Sequence, residues 1–222
     1  DPEKDEARAE PIGRAFLRHT KHVNLSPSGE RAGVPQPPLQ WPVSDACRRI
    51  PLPEPHAPAA DLDLVAAIEA RRSVRQYRPA PLPLAELSFL LQYTQGVQEV
   101  TSRPSTLRPV PSAGARHALE TYLLVNRVEG LVPGLYRYAA LDNQLVELDL
   151  SPETIAGIQA ACRGSRPLCE ASAVTFIWVA VVERMTWRYS ERGYRFLHLD
   201  AGHVCQNLYL LAQPVAAGVC AI

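Results

Sequence analysis

The chain has 222 residues, of which 46% are hydrophobic, with 23 basic and 23 acidic side chains. This length and composition predict a single domain with one sizeable core. A formal net charge of zero gives no overall field for nucleic acid or an anionic membrane, so any anion site must be local. The longest apolar run, residues 173–182, has about half the length of a membrane-spanning helix and is rich in β-branched residues, which predicts a buried strand.

The first ten residues, DPEKDEARAE, are acidic and lack the basic-then-apolar order of a secretory signal, which favours a cytoplasmic location. The five cysteines are scattered and include no Cys-x-x-Cys pair, which indicates buried free thiols rather than a disulfide framework or a zinc site. On a helix, His198 and Cys205 share a face that His203 does not, so we expect no metal site there.

Prolines are concentrated at the N-terminus, where residues 1–60 hold 11 of the 21. They prevent a continuous helix or a central strand, so this segment is predicted to be an extended arm that precedes a folded domain at 61–222. Trp41 indicates that parts of the arm lie against a surface, because disordered tails tend to lack large apolar anchors.

Helical periodicity begins at Asp61, a plausible N-cap. The spacing of Leu62, Val65 and Ile68 predicts a helix that ends near Arg72. Two further helices are predicted at 83–95, which Gly96 ends, and at 151–164, which has a serine cap and a glycine just past its end.

The sheet and the last helix follow from periodicity as well. Alternating, β-branched and aromatic stretches predict a three-strand meander at 120–128, 135–140 and 144–150. Val204, Leu208 and Leu211 predict a buried helix from about Asp200, which Pro214 should kink or end. Helices with a mostly antiparallel sheet, without strict alternation, define an α+β fold.

Three arginines and a serine fall within five positions in the stretch EARRSVRQY at 69–77. Cations in the last turn of a helix can simply complement its dipole, which is one interpretation of Arg71 and Arg72. Ser73 and Arg75 lie beyond the helix, where guanidinium forks and a hydroxyl suit a phosphate.

A second stretch, RPVPSAGARHALE at 108–120, contains the small-residue turn Pro111, Ser112, Ala113 and Gly114 ahead of a strand. Such a turn lets the backbone approach a flat ligand and offers the Ser112 hydroxyl and main-chain amides, although an ordinary loop is equally consistent. The third stretch, at 194–212, is consistent with a packed helix when it is considered alone.

In this order, the three stretches resemble the nitroreductase family of FMN-dependent oxidoreductases, specifically its SagB-type dehydrogenase branch. The resemblance covers roughly residues 16–222 and includes FLRHTKH, LPLAELSFLLQYTQGV, PSAGARHALETYLLV, GLYRY and LDAGHVCQNLYLLA. It implies an α+β domain at 61–222 that forms an intertwined homodimer, with FMN sites built from both subunits.

The resemblance also implies roles for individual residues. Arg71, Arg72 and Ser73 would hold the FMN phosphate and ribityl chain, and Arg75 would approach the N1/O2 edge of the ring, where a fixed cation stabilises reduced flavin. The partner subunit would line the flavin with the turn Pro111, Ser112, Ala113 and Gly114. Ala221 and Ile222 would also belong to the site, and the family pattern continues beyond them, so we expect a missing C-terminal tail.

One motif departs from the family pattern. Relatives that oxidise azolines carry a Lys-Tyr pair before the DAGH helix, whereas this sequence has Arg188-Tyr189. Arginine is a poor base near neutral pH because its pKa exceeds about 12. Tyr189 remains a candidate proton donor, with a surface or interface aromatic as the alternative.

The leading functional hypothesis is an FMN-dependent oxidoreductase that passes electrons from NADH or NADPH to an electron-poor small molecule such as a nitroaromatic or a quinone. One alternative is a dehydrogenase that acts on a modified peptide, with the N-terminal arm contacting a peptide or protein partner. Another is a catalytically silent relative that serves as a scaffold or ligand-binding module.

Overall fold

The computed structural model describes residues 10–55 and 63–222. Its centre is a five-stranded sheet in which neighbouring strands are antiparallel. The strands, in spatial order, are β1 (Arg49–Pro51), β6 (Gln144–Asp149), β5 (Gly134–Ala139), β4 (Leu119–Val125) and β7 (Val174–Ala180). A small separate hairpin consists of β2 (Glu99–Val100) and β3 (Thr106–Leu107). The predicted meander is therefore confirmed as β4, β5 and β6.

Seven α-helices accompany the sheet in the described residues. They are α1 (Ile12–His19), α2 (Leu64–Ala70), α3 (Leu84–Gln95), α4 (Pro152–Ala161), α5 (Arg166–Ala171), α6 (Val182–Tyr189) and α7 (Gly193–Leu211). A mostly antiparallel sheet with flanking helices confirms the α+β class.

Helix α3 lies at the centre of the molecule. Leu87 and Leu91 pack against Leu123 and Tyr136 of the sheet, and they are fully buried. Phe89 and its neighbours on another side of α3 pack against α7. Because apolar side chains cover most of its circumference, α3 is a core helix between the sheet and α7.

Local signals explain the ends of several elements. Ser151 caps α4 by accepting a hydrogen bond from the Thr154 amide at 3.3 Å, as its sequence predicts. The helix ends at Ala161, however, and Arg163 rather than Gly164 adopts a left-handed φ of 41°. A 3₁₀ turn at 163–165 separates α4 from α5.

Three other expectations need correction. Helix α7 begins at Gly193, seven residues before Asp200, because Gly193 and Leu197 extend its buried face toward the N-terminus. It ends at Leu211, before Pro214. The apolar run at 173–182 is the edge strand β7 and is only half-buried, since it has a neighbour on one side. Of the five free cysteines, only Cys169 is buried.

The N-terminal segment is not uniformly extended. Helix α1 occupies part of the proline-free stretch between Pro11 and Pro27, where the proline argument does not apply. Strand β1 ends at Pro51 and lies at the edge of the sheet, the position where a proline is tolerated. The Trp41 amide donates to Glu120 at 2.9 Å, so this part of the segment lies on the sheet.

Candidate functional site

Helix α2 ends before the first arginine of the arginine-rich stretch, residues 69–77. Asp63 caps α2 by accepting from the Ala66 amide at 2.7 Å, and the predicted N-cap, Asp61, lies outside the described residues. The last helical residue is Ala70, and the C-cap Arg71 has the extended ψ of 123°. The helix therefore ends two residues earlier than predicted, and Arg72 lies beyond it.

The extended stretch is held beside the end of the chain. The Val74 amide donates to the Val219 carbonyl at 2.9 Å. A Cβ on Gly218 would lie 2.6 Å from the Val74 side chain, so the Gly218 backbone lies directly against that side chain. Ala221 is joined to the same region, because its amide donates to the Tyr209 hydroxyl at 2.8 Å. Ile222 is exposed at the end of this segment.

In the part of the chain that the structure describes, the guanidinium groups of this stretch have no carboxylate partner. Arg72 donates to the carbonyls of Glu69 and Arg71 at 2.7 and 2.8 Å, and Arg75 donates to the Ser73 carbonyl at 3.4 Å. None of the seven ion pairs found in residues 10–55 and 63–222 includes these arginines. Such uncompensated cations fit a phosphate group, because guanidinium binds phosphate oxygens in a bidentate geometry.

The small-residue turn requires its glycine. Gly114 has a φ of +58°, and a Cβ there would lie 2.6 Å from the Tyr189 hydroxyl and 2.7 Å from Nε of Arg188. The turn at Pro111 thus packs directly beneath the end of α6. The structure therefore brings Tyr189 together with the predicted turn.

The turn is also anchored on α7. The Ala113 amide donates to Oδ1 of Asp200 at 3.3 Å, and the Ser112 oxygen accepts from the His117 amide at 2.9 Å. Asp200 is buried, and its Oδ2 has no hydrogen-bond partner in the described part of the chain. Burial raises the pKa of Asp200, and the Ser112 side chain and the Ala113 amide oppose that rise. The Ser112 oxygen is therefore already engaged inside the turn.

His117 lies in the same cluster and is buried. Burial, together with the positive charge of Arg108, lowers the pKa of His117 to about 3. The imidazole is therefore neutral at physiological pH. The shallow cleft at this point has a volume of about 10 Å³ and is lined by Gln95, Pro111, Ser112, His117 and Asp200, among others.

Arg188 is held by the N-terminal segment, and Tyr189 is held by α7. Arg188 pairs with Glu30 at 2.8 Å, and Glu30 also pairs with Arg103 at 3.0 Å. The Tyr189 ring packs edge-on against Phe196, with ring centroids 4.7 Å apart. Arg188 is therefore a structural cation in this arrangement.

The arginine-rich stretch and the small-residue turn lie on different sides of α7. Asp200 anchors the turn, and Tyr209 contacts the arginine-rich stretch. They are nine residues apart, which on an α-helix corresponds to about 13 Å along the axis and about half a turn around it. The cleft at the turn has a volume of about 10 Å³, room for about one water molecule, which is far below the roughly 300 Å³ at which small-molecule sites begin.

Two functional contacts were missed by sequence reasoning. Asp200 shares the buried face of α7 with Leu197 and Val204, and a carboxylate on an apolar face is a signal that could have been found. Tyr209 offered no such signal, because its partners come from distant parts of the chain.

Comparison with known proteins defines the class. A family model described as the nitroreductase family matches residues 68–222, and the chain therefore belongs to this family of oxidoreductases. A nitroreductase homologue of Methanocaldococcus jannaschii is 37% identical over 153 residues, which are 68% of this chain and 74% of that protein. The trifolitoxin-processing protein TfxB of Rhizobium leguminosarum bv. trifolii is 29% identical over 148 residues, 62% of this chain and 40% of that protein.

Solved structures show the same fold. A nitroreductase homologue from Anabaena variabilis is 28% identical with a TM-score of 0.64 over 78% of this chain, which spans only 35% of that protein. A chain of the Escherichia coli microcin synthetase complex McbBCD, solved with truncated pro-MccB17 bound, has a TM-score of 0.53. At 17% identity over 92% of this chain and 78% of that one, it shows a shared fold alone.

Residues 10–55 and 63–222 contain neither a membrane-spanning helix nor a metal-ligand cluster. No helix there is long and apolar enough to cross a membrane. Within the same ranges, no three His, Cys, Asp or Glu side chains are grouped so that they could hold a metal ion.

Proposed function

We propose that this protein is an FMN-dependent oxidoreductase. The observation that carries the proposal is the set of guanidinium groups at Arg71, Arg72 and Arg75, which have no carboxylate partner among residues 10–55 and 63–222. In a chain of zero net charge, three such cations beside a serine hydroxyl fit a flavin mononucleotide, whose phosphate and reduced ring both carry negative charge. Arg71, Arg72 and Ser73 would hold the phosphate and ribityl chain, and Arg75 would lie at the N1/O2 edge of the ring.

The complete flavin site would be built by two copies of the chain. The arginine-rich stretch and the small-residue turn lie on different sides of α7, so one copy does not place both around one ligand. An exposed stripe on α7 lies between the two groups on the helical wheel and consists of Leu199, Gly202, His203 and Gln206. A Cβ on Gly202 would meet nothing within 4 Å, which leaves room for a close approach. A second copy packed on this stripe would supply the missing half.

Bound FMN supplies the hydride-accepting ring, and the chain supplies binding, orientation and charge. The fixed charge of Arg75 would stabilise negative charge on the reduced ring. Tyr189 is the proposed proton donor, acting through its hydroxyl at the Gly114 turn. NADH or NADPH is the proposed electron donor, and a quinone or nitroaromatic is the proposed acceptor.

The phosphate assignment is tested with the double substitution Arg71→Ala and Arg72→Ala. We expect it to abolish FMN retention during gel filtration, and with it the NADPH oxidation that a quinone supports. The matched control is the other Arg-Arg pair, Arg48→Ala with Arg49→Ala, which removes the same charge from exposed ion pairs. If the Arg71/Arg72 variant retained as much FMN as the control, the phosphate assignment would be wrong.

A second candidate function, in the SagB-type branch, is oxidation of an azoline in a modified peptide. It is favoured by the similarity to the trifolitoxin-processing protein. The ion pair of Arg188 with Glu30 counts against this candidate, because a paired guanidinium does not act as a base at that position. Turnover of an azoline-containing peptide without turnover of quinones would favour the second candidate over the first.

A further inference from the structure

Three separate parts of the chain meet at Tyr209, near the end of α7. The guanidinium of Arg71 lies 5.2 Å from the centre of its ring. Its hydroxyl lies 3.2 Å from Oγ of Ser73 and accepts a hydrogen bond from the Ala221 amide at 2.8 Å. A single side chain therefore contacts two of the proposed phosphate ligands and the segment beside them.

The hydrogen-bonding capacity of the Tyr209 hydroxyl determines which group donates in its contact with Ser73. A tyrosine hydroxyl has one proton to donate, and here it already accepts the Ala221 amide. The phenol is a stronger acid than the serine alcohol, so Tyr209 is the better donor in the contact with Ser73. When Tyr209 donates, the Ser73 proton points elsewhere and is available to an anion.

The ring of Tyr209 acts on Arg71 in a complementary way. A cation over an aromatic face is attracted by the ring without being neutralised, so the guanidinium keeps its charge and its donors. The hydrogen bond from the Val74 amide to the Val219 carbonyl and the close contact at Gly218 fix the backbone of the same stretch. Arg71 and Ser73 are thereby oriented before any ligand binds.

We propose that Tyr209 is a positioning residue that determines the preference of this site for a phosphorylated flavin over riboflavin. The inference rests on the proposed function, since it concerns the same phosphate position. Tyr209 orients the Ser73 hydroxyl and the Arg71 guanidinium toward the phosphate group. FMN and riboflavin share the isoalloxazine ring and the ribityl chain and differ only in the phosphate, the group toward which both interactions are directed.

The test compares Tyr209→Phe with wild type by measuring dissociation constants for FMN and for riboflavin through flavin fluorescence. We expect FMN binding to weaken about tenfold, the effect of losing one hydrogen bond to a charged group, with riboflavin binding changed by no more than about twofold. Tyr194→Phe is the matched control, since Tyr194 is an exposed tyrosine of the same helix, and it should leave both constants unchanged. The double variant Ser73→Ala with Tyr209→Phe should bind FMN no more weakly than Ser73→Ala alone.

Distinct results would overturn the inference and the proposed function. If wild type prefers FMN and Tyr209→Phe keeps the full preference, Tyr209 has no part in phosphate selection. An equal loss for both flavins would assign Tyr209 a structural role only, and thermal melting of the apoprotein would show the same loss. If wild type binds FMN and riboflavin equally, the phosphate assignment itself fails, and this inference fails with it.

Discussion

Left-handed backbone is concentrated in the turn that precedes β4. Gly114, Ala115 and His117 have φ values of +58°, +54° and +42°, and two of these three residues carry side chains that disfavour this region. Each non-glycine residue in that region costs roughly 1–2 kcal/mol, so surrounding contacts must hold the turn. Two hydrogen bonds provide such contacts, one from the Ala113 amide to Asp200 and one from the His117 amide to Ser112. The turn is therefore a preorganised element of the site.

Substitution of Gly114 by alanine tests the packing of this turn. Gly114→Ala places a methyl group against the Tyr189 hydroxyl and the Arg188 side chain, in addition to the cost of its positive φ. Gly130→Ala is the matched control, because Gly130 has a φ of +76° but open space around its Cβ. We expect Gly130→Ala to cost about 1 kcal/mol in urea unfolding and Gly114→Ala about 1–3 kcal/mol more. Equal losses would show that Tyr189 does not pack on the turn.

The neutral His117 predicts a pH dependence of stability. Its pKa is about 3 in the folded chain and about 6.5 when unfolded, so the unfolded state binds more protons between these values. Stability should therefore fall as the pH decreases through that window, by about 2 kcal/mol between pH 7 and pH 5. His117→Asn tolerates the positive φ and cannot titrate. In urea unfolding, the variant should therefore lose about 2 kcal/mol less stability than wild type between pH 7 and pH 5. An identical loss in variant and wild type would contradict the assignment.

At the scale of elements, a buried ion pair joins the N-terminal segment to the domain. Glu120 of β4 pairs with Arg184 of α6 at 2.5 Å, and both side chains are buried. The same carboxylate accepts the Trp41 amide at 2.9 Å, and Nε of Arg184 donates to the Pro38 carbonyl at 2.7 Å. Removing either charge would leave the other buried without its counter-charge, so the pair fixes the segment in place.

Neutralising Glu120 tests this link. Glu120→Gln leaves the Arg184 cation buried, and we expect a loss of about 3 kcal/mol in urea unfolding together with faster proteolysis between residues 36 and 48. The control Glu147→Gln removes the partner of the exposed Arg48 and should cost less than about 1 kcal/mol. Similar losses in the two variants would show that the buried pair does not hold the segment.

Elements with local signals were predictable from the sequence, and elements set by tertiary contacts were not. The cap at Ser151 and the leucines of α3 specify their helices directly. The early start of α7 and the edge position of β7 depend on packing against distant residues, which local sequence patterns do not identify. For the candidate site, local residue patterns in the sequence were enough to propose Arg71 and Gly114. The contacts of Tyr209 join positions up to 138 residues apart, a relation that no local pattern encodes.

At the scale of the whole molecule, the two halves of the proposed site predict a functional dimer. Leu199 is 57% exposed on the α7 stripe, where a second copy would bury it. Leu199→Asp should convert the dimer to a monomer in analytical ultracentrifugation and reduce FMN retention with it. Leu141→Asp, a matched change at an exposed leucine in the turn between β5 and β6, should leave the dimer intact. A wild-type monomer that binds FMN tightly would contradict a shared site.

Cofactor analysis of the purified protein decides whether the chain carries FMN. The visible absorption spectrum is recorded, and the cofactor released by heating is identified by chromatography. We expect a flavin spectrum and FMN at about one per chain, as isolated or after incubation with excess FMN. A protein that retains no flavin after that incubation would show that the chain does not bind FMN.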